Sequence, residues 1–147
     1  IVLQIGSFQT VVRDLVKKHD IILPNSKLRL TRVDVLRTDL KKGIREFEDF
    51  WFGYGTDPDK IQSMLEEAWS KTVEDGLATQ EGGFSIGNKE CGDHGVRWRL
   101  SYTLQSPHRL IEAGNYVREN AYRLQEKHGL ELATPLTHVF HKGADGL

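Results

Sequence analysis

The chain has 147 residues, 38% of them hydrophobic and 28% charged, with a net charge of −1 and a single cysteine. That length suits one ordinary domain or two small ones, and it can bury roughly 68–70% of the unfolded surface without covalent staples. The composition excludes a disulfide framework and a disordered chain, and no apolar run approaches the roughly 18 residues that cross a bilayer.

Charge is unevenly spread. Residues 1–45 carry a net +6, residues 46–80 a net −7, and residues 81–147 balance to zero. A basic leading segment before an acidic one suggests two modules in different surroundings. The lone Cys91 fits a reducing compartment. No signal-peptide pattern is read in these residues, and a start at Ile1 rather than Met is expected of a fragment or a processed product.

The leading segment to about Leu36 reads as short strands. Ile1-Val2-Leu3 is an apolar run ending at Gly6, and Gln9 to Val16 is rich in β-branched residues. Lys17 to Asp20 reads as a turn. Ile21-Ile22-Leu23 is a strand stopped by Pro24-Asn25, because proline cannot donate to a ladder and asparagine suits a turn. Thr38 to Gly43 reads as a polar connector, which divides the chain into modules 1–40 and 41–147.

The second module has a different rhythm. Arg45 to Tyr54 is an aromatic strand whose rings are expected in the core. Asp57 is a good N-cap and Pro58 fits the first helical position. Ile61, Met64, Leu65, Ala68 and Trp69 then form one helical stripe, which fades near Lys71 to Asp75. Gly83 to Asn88 reads as a weak strand, and Lys89 to Gly95 as a polar loop. Val96, Trp98, Leu100, Tyr102 and Leu104 alternate with polar residues, so one strand face is buried and one wet. Ser106-Pro107 reads as a second helix start. Leu110, Ala113, Val117, Ala121 and Leu124 are its stripe, and His128-Gly129 its end. Thr134 to His141 is read as a closing strand. The order β-α-β-β-α-β is the ferredoxin-like pattern, with two helices on one face of a four-stranded antiparallel sheet.

Catalytic signatures are missing. There is no GxSxG, Walker loop, HExxH or GxGxxG motif. Cys91 and His94 supply at most half of a zinc site, and His138 and His141 point to opposite faces of a strand. No metal or other cofactor is expected. Cys91 has no second partner to make it a nucleophile. Trp98 and Tyr102 are in phase with core residues, and the aromatic run of an RNA-stacking sheet is missing, so no nucleic acid is expected. The excess of cations in the first module suits an anionic lipid surface or simple solubility.

Several motifs in order carry a family resemblance. Ile5-Gly6, Thr10-Val11-Val12-Arg13, and Asp20 through Pro24-Asn25-Ser26-Lys27-Leu28 resemble the middle β-domain of small-conductance mechanosensitive (MscS) channels. Phe47 to Asp57 resembles that family's aromatic strand, although Gly55 stands where the family often has Asp. Gly95 to Leu100 resembles the third strand of its α/β domain, and Gly129 to Leu132, Pro135 and Val139 its closing segment. Residues 79–83 and 89–94 match nothing in the pattern.

The resemblance implies an α+β chain: a small, truncated, Sm-like all-β domain followed by the ferredoxin-like domain. It implies the cytoplasmic part of a channel of the cell inner membrane, with membrane helices preceding this segment. The assembly would be a heptameric homo-oligomer that forms a cage for permeating ions and takes part in gating and osmotic relief. In this reading Pro24, Asn25, Ser26, Lys27, Asp57 and Pro58 are structural, and Lys27, Arg29 and Arg32 are ion-facing or membrane-proximal charges. The alternatives are a soluble ferredoxin-like module binding RNA or a small effector, and an enzyme using Cys91.

Overall fold

The computed structural model describes residues 1–33, 43–78, 83–104 and 106–132. The expected connector at 38–43 lies almost wholly outside these residues, and the expected strand at 134–141 lies wholly outside them.

The protein is α+β, with two small antiparallel sheets among the described residues. The first sheet has the order β1-β2-β3, from β1 (Val2–Ile5), β2 (Gln9–Arg13) and β3 (Asp20–Pro24). A four-residue helix α1 (Asn25–Leu28) follows directly. β2 is shorter than the sequence suggested, because Asp14 ends it. Its carboxylate accepts the backbone N–H groups of Val16 and Lys17 at 2.7 and 2.8 Å, an aspartate turn that the ladder cannot continue through. The expected turn at Lys17 to Asp20 therefore shifts to Asp14–Lys18, and Asp20 joins β3 opposite Arg13.

The second sheet has the order β4-β6-β5, from β4 (Ile44–Phe52), β5 (Phe84–Gly92) and β6 (Gly95–Leu104). An isolated antiparallel bridge joins Phe52 to Leu132 on the free side of β4. Helices α2 (Pro58–Glu74) and α3 (Leu110–His128) pack together over one face. Each buries its predicted stripe apart from Leu110, which is half-buried beside the core. Trp69 of α2 stacks on Tyr102 of β6 with ring centroids 5.1 Å apart, next to Leu65, Leu100, Val117 and Ala121. Thr72 also enters this core. Its hydroxyl donates to the Ala68 carbonyl at 2.8 Å and accepts from Asn120 at 3.2 Å, so the buried oxygen is satisfied and ties α2 to α3.

Three further expectations change. Lys89 to Gly92 belongs to β5 rather than to a loop, since Glu90 pairs with Arg97, Cys91 with Val96 and Gly92 with Gly95, after a bulge at Asn88/Glu90. Polar residues fit this edge strand because its outer side and one face are exposed. The tip is only Asp93-His94, and Gly95 holds φ +152°, where a Cβ would strike the Phe52 carbonyl. Ser106 makes no side-chain cap. A single 3-10 turn (Pro107–Arg109) intervenes, and α3 begins at Leu110. The aromatic strand also divides. Phe50 and Phe52 are buried, whereas Phe47 is 48% exposed and Trp51 37% exposed, because alternate residues of a strand face opposite sides.

Candidate functional site

The Pro24–Lys27 segment is organised around one side chain. Asn25 donates its backbone N–H to the Phe8 carbonyl at 2.9 Å. Its amide nitrogen donates to the carbonyls of Gly6 and Ser7 at 2.9 and 3.2 Å. Its amide oxygen accepts from the Thr10 hydroxyl at 2.8 Å. Asn25 therefore fastens the β1–β2 turn to the junction between β3 and α1. Thr10 is 6% exposed, the one buried residue among positions 1–33. Pro24 closes β3 with φ −60° and ψ 133°. Ser26, Lys27, Arg29 and Arg32 are exposed on or after α1.

Asp57 and Pro58 open α2. The Asp57 carboxylate accepts the Asp59 N–H at 3.0 Å, and Pro58 stands in the first turn, where a missing N–H costs nothing. This end of the helix borders a concave region of about 490 Å³ with Tyr54, Lys60, His94 and Leu130 in its wall. Tyr54 donates its hydroxyl to the Gly92 carbonyl at 2.7 Å and holds the β5–β6 turn beside it.

The helix-free face of the second sheet holds an ionic and aromatic lattice that sequence reasoning did not assign. Arg99 makes two 2.7 Å bonds to the Asp49 carboxylate, and its guanidinium lies 3.6 Å from the Phe47 ring centroid. Arg97 reaches Glu90 at 2.8 Å and Asp49 at 3.5 Å, with Trp51 5.9 Å away. The Arg99 bonds hold the Asp49 carboxyl below its ordinary range despite some burial. Both guanidiniums are engaged by carboxylates, so a phosphate would have to displace them. The available signal was the pairing of Arg97 and Arg99 with the odd-numbered face of β4, which requires the strand register.

A further cluster joins the helices on the opposite side. Glu67 of α2 accepts from Lys127 at 2.6 Å and pairs with His128 at 2.8 Å, both on α3. These bonds push its carboxyl down to about 2. Under the helices, burial and the neighbouring Glu48 push Glu46 up. Burial raises the Tyr102 phenol, again with help from Glu48, which itself pairs with Arg118.

Cys91 is exposed on β5, 3.9 Å from the Asn88 amide nitrogen. Among the described residues, no three His, Cys, Asp or Glu side chains converge as metal ligands. His138 and His141 lie outside those residues. No described helix is long and apolar enough to cross a membrane.

No protein-family model matches the sequence, and no curated protein matches it. Solved structures do match the fold. A cryo-EM structure of wild-type MSL1 from Arabidopsis thaliana superposes with a TM-score of 0.57 at 16% identity, covering 90% of this chain and 46% of that one. A second MSL1 structure gives 0.54 at 15% identity, with 90% and 48% covered. A point variant of MSL1 gives 0.55 at 16% identity, with 90% and 50% covered. The chain spans about half the length of these solved chains. At such identity the likeness is one of fold, and the neighbours are MscS-like channel structures, the family that the ordered sequence motifs resemble.

Proposed function

We propose that this chain is the cytoplasmic region of a mechanosensitive ion channel, with residues 1–40 as a membrane-proximal β-domain and 41–147 as an α/β domain. The observation that carries the reading is the MscS-like fold over 90% of the chain, found where motifs of the sequence resemble those of the same family in the same order. The full-length protein would supply the membrane helices and form a homo-oligomeric ring, heptameric as in the family. Its place would be the inner membrane, with this region on the cytoplasmic side.

In this reading the chain works by assembly and by shaping the path of permeating ions, without catalysis. Asn25 gives the first sheet a fixed turn, as the carbonyls of Gly6, Ser7 and Phe8 all depend on it. The Asp49–Arg99 lattice stiffens the open face of the second sheet. Such rigid elements transmit displacement rather than absorb it.

The test is osmotic. The full-length gene is expressed in bacteria deprived of their own mechanosensitive channels, and survival is counted after hypo-osmotic shock. Rescue is the expected result. Lysis at the level of the empty vector, with the protein present in the membrane, would contradict the proposal.

A further inference from the structure

The helix-facing side of β4 carries two carboxylates in the midst of apolar residues. Ile44, Glu46, Glu48, Phe50 and Phe52 alternate toward the helices, and Ile44, Phe50 and Phe52 are buried. Glu46 is half-buried, and the Glu48 side chain is 16% exposed. The elements packed on this part of β4 are β6 and α3. β6 presents Tyr102, opposite Glu46 in the register, with its hydroxyl 3.5 Å from Glu48 Oε1. α3 presents Arg118, which pairs with Glu48 Oε2 and also donates to the Asn115 side-chain oxygen at 2.5 Å.

α3 is shaped to receive Glu48. Gly114 is buried inside this helix, although glycine is a poor helix former. A Cβ on Gly114 would lie 2.5 Å from Glu48 Oε1 and 3.4 Å from the Tyr102 hydroxyl. The carboxylate therefore occupies the space that a side chain would fill. Among the described residues, this corner holds two carboxylates and one guanidinium, and the guanidinium is bonded to Glu48. Glu46 faces that pair with the Phe47 N–H as its donor. Burial, and then the Glu48 charge, raise the Glu46 carboxyl above its ordinary range, in keeping with this geometry.

We propose that Glu46, Glu48 and Arg118 form a proton-operated clasp between β4 and α3. With both glutamates ionised, the uncompensated charge of Glu46 repels Glu48 and loosens the seat of α3. When Glu46 takes one proton from water, a balanced Glu48–Arg118 pair remains, and the first half of α3 is held more firmly. A carboxyl raised by burial weakens the fold only where it is ionised. The penalty thus grows as pH rises from the ordinary value near 4.5 and is absent below it. Mild acid tightens this corner. No membrane and no second copy enters the clasp, so its test is separate from that of the channel reading.

The test combines carboxyl NMR of the 147-residue chain with hydrogen exchange along α3. Glu46 is expected to titrate above 4.5, and Glu48→Gln to move that midpoint down, because the neighbouring charge is gone. Protection of the Gly114, Val117 and Arg118 amides, corrected for intrinsic rates, should rise as Glu46 takes its proton. Glu46→Gln should hold that protection at its acid level throughout. The same variant should melt roughly 2 °C above wild type at about pH 7, and level with it at about pH 4. Glu119→Gln, on an exposed α3 residue paired with Arg123, should change none of these. A Glu46 midpoint at or below 4.5 would overturn the proposal. So would α3 protection that ignores the Glu46 titration, or a midpoint that Glu48→Gln leaves in place. A gain from Glu46→Gln that is equal at both pH values would assign it to packing, and would overturn the clasp as well.

Discussion

The Thr10 hydroxyl donates to the Asn25 amide oxygen across 15 residues of sequence, at 2.8 Å, in the most buried spot of the first sheet. β2 and β3 bring them together, because Thr10 pairs with Leu23, two residues before Asn25. Asn25→Val would leave the Thr10 hydroxyl and the Gly6 and Ser7 carbonyls without this partner. A buried donor or acceptor stripped of its bond costs about 1–3 kcal/mol, so a loss of roughly 2–3 kcal/mol is expected. Amide exchange in β2 and thermal melting measure it. Thr10→Val should cost about 1 kcal/mol, and the double variant less than the sum. An Asn25→Val protein with unchanged melting and oligomer size would contradict this role.

Asp57 caps α2 through the Asp59 N–H. Asp57→Ala is expected to destabilise the second sheet and its helices by about 1 kcal/mol, and Asp57→Ser to restore most of that, since serine also accepts at this position. Urea unfolding followed by tryptophan fluorescence would read both variants. Equal losses in the two would mean that the carboxylate matters for something other than the cap.

Arg99 combines a paired bond to Asp49 with stacking on Phe47. Lysine carries the same charge but lacks both the planar fork and the stacking surface. Arg99→Lys should cost about 1–2 kcal/mol. Phe47→Leu should cost less, because the Asp49 bonds remain. Denaturant midpoints give the comparison, and a neutral Arg99→Lys would show that the lattice adds nothing beyond charge.

Glu67 gives a pH signature. Its carboxyl is lowered from the ordinary value near 4.5 to about 2 by Lys127 and His128. A depressed carboxylate stabilises the fold above its unfolded pKa, and that contribution disappears as pH falls through the folded value. Melting temperature should therefore fall between about pH 4.5 and pH 2, and Glu67→Gln should flatten this part of the curve. Glu46, raised by burial, acts in the opposite sense, so the difference between wild type and Glu67→Gln isolates the helix–helix pair.

Much of this architecture was legible in local pattern. The stripe from Ile61 to Trp69 is buried where spacing alone places it, and so are Leu100, Tyr102 and Leu104 of the alternation from Val96, whereas Val96 and Trp98 are only half-buried. What could not be read needs register. The polarity of Lys89 to Gly92 suggests a loop until β6 is seen pairing with it. The exposure of Phe47 and Trp51 depends on which face of β4 the helices cover. At the Pro24–Asn25 turn, sequence named the residues but not the bond to Thr10, since a hydroxyl fifteen residues away leaves no local trace.

The most direct test of the central claim is electrical. The full-length protein is reconstituted into liposomes, and excised patches are recorded while suction is raised stepwise. Discrete openings that appear above a threshold tension and close on release are the expected result. Membranes that hold the protein yet stay silent up to the tension that ruptures them would contradict the account.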